Sequence, residues 1–499
     1  SVLFALSKQI ILRFKKNQNL KNENENTIFL NLLHTSKNLD NSIVNSNFGK
    51  SMEKALNKYE KAYYLNKTIV EEVLSIKNIN KTLESDGKSF ILDDFINKIS
   101  KDYKYIILDS EINNTPWTTW CTTLSDKYLF LLNPSLGIDN DEIINLMNNI
   151  QSDTPNHLMV DRQLIICHDN KNIFPSGTIE HLNALDPVSI HYHINIKQEN
   201  DFLRLARMIT NKSVGLAFGG GGARALAHIG VYKAILEKNI PIDVVCGTSA
   251  GSMMAAIIAS GYSVDEVEEI WEKFSKDIKI TLSDYNLPHS SVWNGENLYN
   301  SYFKIFENRR IEDLWLPMFG CAANITSAEL EVIDRGKIWR AVRASSSLPG
   351  ALSPVIENNS LFVDGGLMNN LPGNILKEKY NSKIISINVS PEVELEPKFE
   401  KFPNQNNLFL KKLFLNKRYR AEYGHLNIPT LGEIMIRSIM TGSANKTKEV
   451  AEMSEIFFDV PTNGYSMTDF IGAKSLIKKG YDYAKERLNN YDLSETLGI

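Results

Sequence analysis

Gly247-Thr248-Ser249-Ala250-Gly251 sets a serine between two glycines, directly after the apolar run IDVVC and ahead of a small-residue helix. A serine on a sharp strand-to-helix turn is held outward. Flanking glycines permit the tight backbone and a close approach by another molecule. The next helix points its N-terminal N–H groups at the same spot, where they favour an oxyanion. In this setting Ser249 reads as a nucleophile rather than a structural turn, with Gly247 and Gly251 shaping its elbow.

Gly219-Gly220-Gly221-Gly222-Ala223-Arg224 also follows a strand-like run, SVGLAF, and opens a helix. Such a run lets several backbone N–H groups converge on one anion, either a phosphate or a developing oxyanion. A dinucleotide site would need an acid at the end of the next strand, but that strand ends Cys246-Gly247-Thr248-Ser249. No Gly-Lys-Ser/Thr completes a P-loop. A third signal is Asp364-Gly365-Gly366, at the end of SLFV. An aspartate at a strand end, given access by two glycines, can take a proton from serine as general base. Asp-Gly alone is an ordinary turn, and its meaning comes from the other two motifs.

Together the three motifs resemble the patatin-like phospholipase family. They occur in that family's order, and Arg343-Ala344-Ser345-Ser346-Ser347-Leu348-Pro349-Gly350 resembles its helical segment between elbow and Asp-Gly-Gly. SVGLAFGGGGARALAHIGV, RIEDLWLP, WRAVRASSSLPG and LFVDGGLMNNLP narrow the resemblance to the neuropathy-target-esterase-like branch, as do Thr115-Pro116-Trp117-Thr118 and Arg204-Leu205-Ala206-Arg207. It covers most of residues 27–490 and is densest in 201–395. The resemblance implies a serine esterase of lysophospholipase or phospholipase A type, with Ser249 as nucleophile and Asp364 as its base. Gly220, Gly221 and Gly222 would supply oxyanion N–H groups, with Arg224 supporting the loop. Two-step acyl transfer on a phospholipid or lysophospholipid is implied, with no metal and no organic cofactor. One departure is Ala225, where the family usually has Gly; a methyl group there would harm the loop if the position needed a positive φ. It also motivates the competing reading of a silent lipid-binding module.

A Ser–Asp–His triad would use His425, which follows Asp364 in chain order. It lies in RYRAEYGHLNIP rather than after a sheet strand, so the dyad is favoured. His191 and His193 alternate in SIHYHINI without a Cys, Asp or Glu cluster beside them, which favours packing or hydrogen bonding over a metal. His228 reads as a structural polar contact. Residues 408–420 carry Lys411, Lys412, Lys417, Arg418 and Arg420 among bulky apolar side chains. They are either a helix packed on the core or a segment that docks on anionic lipid.

The elements that must position these groups alternate in type. TIFLNLLHT, KAYYLN, KYIILDS, KYLFLLN and RQLIICHD are strand-like, with helical patterns such as LDDFINKISKDY and DEIINLMNNIQ between them. That alternation predicts a parallel α/β sheet. The expected plan is an amphipathic helix and linker at 1–26 and a smaller accessory α/β domain at 27–200. A patatin-like three-layer α/β/α domain at 201–399 and a helical C-terminal extension at 400–499 complete it. The accessory part shows no P-loop or glycine fingerprint.

The 499 residues call for two or three domains. A net charge of -4 gives no basic field for nucleic acid. Cys121, Cys167, Cys246 and Cys321 are scattered and read as reduced thiols, favouring the cytoplasm. No run approaches the roughly 18 to 20 apolar residues of a spanning helix, so a peripheral membrane location is expected. The chain opens at Ser1, so a longer natural protein upstream is expected; the resemblance implies cyclic-nucleotide-binding-like domains there. The oligomeric state is not legible.

Overall fold

The computed structural model describes residues 27–35, 47–85, 89–110, 115–135, 160–170, 174–278, 285, 289–390, 431–465, 467 and 472–498. The expected helix at 1–26, the helix at DEIINLMNNIQ, the basic segment 408–420 and His425 lie outside them.

The first apolar runs are short, rich in β-branched and aromatic side chains, and bounded by polar residues, which suits strands. They form β1 (Ile28–His34), β2 (Ala62–Asn66), β3 (Tyr105–Ser110), β4 (Lys127–Leu132), β5 (Asp161–His168) and β6 (Ile190–Asn195). Their order is β2-β3-β1-β4-β5-β6, and every pairing is parallel. Burial along β3 and β4 is nearly continuous, as expected of a parallel sheet covered on both faces. Leu30 and Leu32 face helices Asn47–Leu56 and Glu199–Ile209, while Phe29, Ile106 and Leu108 face the layer holding Trp117 and Leu92.

The second sheet is built from β7 (Val214–Phe218), β8 (Val244–Thr248), β10 (Met318–Asn324), β15 (Lys383–Asn388) and β16 (Ile456–Asp459), all parallel in the order β10-β8-β7-β15-β16. Antiparallel strands β11 (Glu329–Ile333) and β14 (Ser360–Asp364) join β10, and β13 (Val355–Glu357) joins β14. Helices including Leu226–Glu237, Ala250–Ala259 and Val264–Asp277 pack on one face. Gly373–Tyr380 and Leu431–Met453 supply Leu376 and Val450 to the other. The result is a three-layer α/β/α domain behind a smaller α/β domain. A parallel pair, β9 (Ser291–Trp293) and β12 (Gly350–Leu352), stands apart from both sheets.

Four short strands are absent from the sequence reading, β9, β12, β13 and β16, and the last of them falls among seventy residues read as helices only. Ile456–Asp459 adds β16 to the edge of the second sheet, with Ile456 and Phe458 fully buried. Four residues are too few for a two-residue period to stand out.

At the seam between the domains, the Arg207 guanidinium grips Asp243 through Nη2 at 2.7 Å and Nε at 2.9 Å. Arg207 Nη1 also donates to Tyr59 Oη at 2.8 Å, while Asp243 accepts the Val214 N–H at 2.8 Å. His191 Nε2 and His193 Nε2 lie 2.9 and 2.8 Å from the Glu312 carbonyl oxygen. Burial pushes both rings' pKa down, so neutral imidazole N–H groups donate there.

Candidate active site

β8 ends at Thr248, and Ser249 turns the chain into helix Ala250–Ala259 with φ 55° and ψ −129°. A non-glycine residue held there costs about 1–3 kcal/mol, so its surroundings must impose the conformation. Glycine neighbours make the turn sterically feasible. A Cβ at Gly251 would lie 2.3 Å from Phe218 O, and one at Gly247 would lie 2.2 Å from Gly251 O. The Ser249 N–H donates to Ser345 Oγ at 2.9 Å, and Thr248 Oγ1 donates to Asn369 O at 2.9 Å.

Strand register then brings the aspartate in. On β10, Cys321 pairs with Thr248, and the next residue, Ala322, pairs with Asp364. The chain leaving β8 and the end of β14 therefore converge, and Ser249 Oγ donates to Asp364 Oδ2 at 2.6 Å. Asp364 is 5% exposed. Its own N–H donates to Ser347 O at 2.8 Å, and its Oδ1 accepts the Gly366 N–H at 2.8 Å. Burial pushes its pKa up to about 6, opposed by the hydrogen bonds from Ser249 and Gly366. A carboxylate of that pKa is ionised at neutral pH yet retains useful proton affinity.

The glycine loop lies against the same serine: a Cβ at Gly220 would come 2.9 Å from Ser249 Cβ. Its N–H groups are not equivalent. Gly220 N–H is engaged by Asn370 O at 3.1 Å, and Ala223 N–H by Met467 O at 2.8 Å. Among the described residues, the N–H groups of Gly221 and Gly222 have no protein acceptor. Arg224 Nε donates to Tyr465 O at 2.9 Å, and His228 Nε2 donates to Gly219 O at 2.9 Å. Ala225 has φ −59° and ψ −17°, ordinary right-handed geometry in which its methyl group is buried without strain. The concern raised by the missing glycine is removed.

Ser249, Asp364 and Gly220–Gly222 border a cavity of about 1090 Å³. Its wall is largely apolar, with Met253, Trp271, Phe274, Leu298, Leu348 and Leu352 among the lining residues. Glu268, Glu272, Lys276 and Lys474 also line it, and Glu272 pairs with Lys276 at 2.8 Å. Among the described residues, no histidine lines the cavity. A Cβ at Gly365 would lie 2.2 Å from Cys321 O, while Gly366 provides the N–H already described. The sequence reading missed the wall from Val264–Asp277 and Glu296–Phe306. It names neither helix, because nothing local in the sequence says what these segments face.

Residues 216–376 match the family described as patatin-like phospholipase, and residues 39–200 match the Neuropathy Target Esterase family P-loop like domain. Patatin-like phospholipase domain-containing protein 6 of Mus musculus is 26% identical over 481 residues, covering 90% of this chain and 34% of the relative. Lysophospholipase NTE1 of Candida albicans is 32% identical over 292 residues, covering 58% of this chain and 21% of the relative. The corresponding Candida glabrata protein is 34% identical over 293 residues, covering 58% and 17%. The chain thus spans about a third or less of the length of these relatives. With both models matched in this order, the resemblance to the patatin-like phospholipases, in their neuropathy-target-esterase-like branch, is borne out.

Proposed function

We propose that this chain hydrolyses an acyl ester of a phospholipid or lysophospholipid through a Ser249–Asp364 dyad. The observation that carries the reading is the 2.6 Å hydrogen bond from Ser249 Oγ to a buried carboxylate beside a large apolar cavity. Asp364 takes the Ser249 proton as Oγ attacks the ester carbonyl. Gly221 and Gly222 N–H groups receive the oxyanion, in a role that Gly220 cannot share while Asn370 O holds its N–H. Collapse expels the alcohol, protonated by Asp364, and leaves an acyl-serine. Water, deprotonated by the same carboxylate, then attacks the acyl carbonyl. Fatty acid leaves and Ser249 regains its proton.

A cavity of this size and lining suits an acyl chain. The relatives named lysophospholipases favour a one-chain substrate. Such a substrate must be met at a membrane surface, and we place the chain there peripherally, on the cytoplasmic side. Four buried free cysteines support a reducing compartment. Among the described residues, no helix is long and apolar enough to cross a membrane.

The decisive experiment compares fatty-acid release from lysophosphatidylcholine and from a two-chain phospholipid, using wild type, Ser249→Ala and Asp364→Asn. Loss of release in both variants supports the dyad. Retained release in either overturns that assignment.

A further inference from the structure

We infer that Asn370, assisted by Ser390, is a positioning residue that aims the Gly221 N–H at the reacting carbonyl oxygen; the inference rests on the reading of Ser249 as nucleophile. Asn370 holds Gly220 at both ends. Its backbone oxygen accepts the Gly220 N–H at 3.1 Å, and its side-chain Nδ2 donates to Gly220 O at 3.3 Å. Ser390 Oγ donates to the same Gly220 O at 2.9 Å.

A trans peptide is planar, with its C=O and the following N–H pointing in opposite directions. Among the described residues the one cis bond is Asp186–Pro187, so the 220–221 peptide is trans. Fixing Gly220 O toward Asn370 and Ser390 therefore turns the Gly221 N–H away from them, on a loop whose Gly221 borders the cavity. Both anchors are buried, at 7% exposure for Asn370 and 4% for Ser390, where water competes poorly for the carbonyl.

Asn370 also ties this loop to the acid. A Cβ at Gly220 would lie 2.6 Å from Asn370 Oδ1, and one at Gly366 would lie 3.0 Å from it. The amide therefore sits between the glycine loop and the turn that presents Asp364. One side chain sets the spacing between the oxyanion donors and the base. A peptide without these anchors could rotate, and its donor would be reoriented during the reaction instead of beforehand.

The test measures kcat and KM on lysophosphatidylcholine and inhibition by a long-chain trifluoromethyl ketone, whose serine adduct carries an oxyanion. Wild type, Ser249→Ala, Asn370→Ala, Asn370→Asp and Ser390→Ala are compared, with a melting temperature for each. Asp keeps the shape of Asn, but its carboxylate cannot donate to Gly220 O. Both Asn370 variants should lose kcat on the order of 10²-fold with KM nearly unchanged, the scale of a misplaced reacting group. The ketone's inhibition constant should rise in step. Ser390→Ala should lose less, about tenfold, because one donor to Gly220 O remains.

A simple packing role predicts that Asn370→Asp behaves as wild type, and that result overturns the inference. So does a fall in kcat without weaker ketone inhibition. If Asn370→Ala does not fold, Asn370→Asp and Ser390→Ala decide. Full activity in Ser249→Ala would overturn the nucleophile reading and this inference together. Dependence on Ser249 with an unaffected Asn370→Asp would overturn this inference alone.

Discussion

Ser345 accepts the backbone N–H of Ser249 at 2.9 Å, and its hydroxyl donates onward to Cys321 O at 2.6 Å. The relay ties a strained residue to the middle of β10. Cys321 is also the residue paired with Thr248, so one position on that strand holds the elbow through both backbone pairing and Ser345. Ser345 is fully buried. Ser345→Ala should lower the unfolding free energy by about 1–3 kcal/mol, the cost of leaving a buried donor unsatisfied. It should also slow fluorophosphonate labelling of Ser249, because the φ of 55° loses a restraint. Urea unfolding and labelling rates check the two effects, and unchanged labelling would mean that the elbow holds itself.

If Asp364 is the base proposed above, activity and stability should respond to pH in opposite senses. With a pKa of about 6 the carboxyl must be ionised to act as base, so kcat/KM should fall tenfold per pH unit below about pH 6. The folded pKa lies above the ordinary 3.8, so the native state holds this proton more tightly than the unfolded chain. The favourable contribution is present below about pH 4 and is lost as pH rises to about 6. The loss amounts to about 3 kcal/mol. Asp364→Asn should therefore abolish fatty-acid release yet unfold at higher urea than wild type at pH 8. A variant less stable than wild type would place the strain elsewhere.

Much of this arrangement is legible in sequence because it depends on backbone chemistry. Ser249 needs glycines on either side, and Asp364 needs a strand end, so both requirements leave residue-type signatures. Apolar runs such as KYIILDS mark buried parallel strands for the same reason. Relationships that depend on register leave none. Asn370 and Ser390 meet at one carbonyl although they are far apart in sequence from Gly220, and nothing local says that the Gly220 N–H is engaged. His191 and His193 were legible as packing or hydrogen-bonding residues, but not their shared acceptor, Glu312 O. Ala225 shows the reverse limit: a change of residue type suggested trouble that its φ does not contain.

Arg207 and Asp243 form a buried ion pair at the seam, with Asp243 fully buried and Arg207 7% exposed. Removing one partner from such a pair strands the other charge and costs about 3–5 kcal/mol. Asp243→Asn should approach that loss, because Asp243 also accepts the first N–H of β7. Tyr59→Phe removes only the outer hydrogen bond to Arg207 and should cost about 0.5–1.5 kcal/mol. Guanidinium unfolding of both variants gives the comparison; equal losses would show that the charge is screened at the seam.

Ala225→Gly tests whether the departure from the family's glycine limits this chain. The residue leads from the glycine loop into helix Leu226–Glu237 at φ −59°, and its side chain is fully buried beside the second sheet. Glycine adds freedom to the unfolded chain and removes a packed methyl, so the variant should lose at least about 0.5–1 kcal/mol of stability. The loop has no positive φ at 225 to relieve; that geometry falls on Gly222, at φ 55°. Fatty-acid release by Ala225→Gly should therefore equal or trail wild type. A rise in kcat would show that the loop reaches its working shape through a conformation that the methyl group opposes.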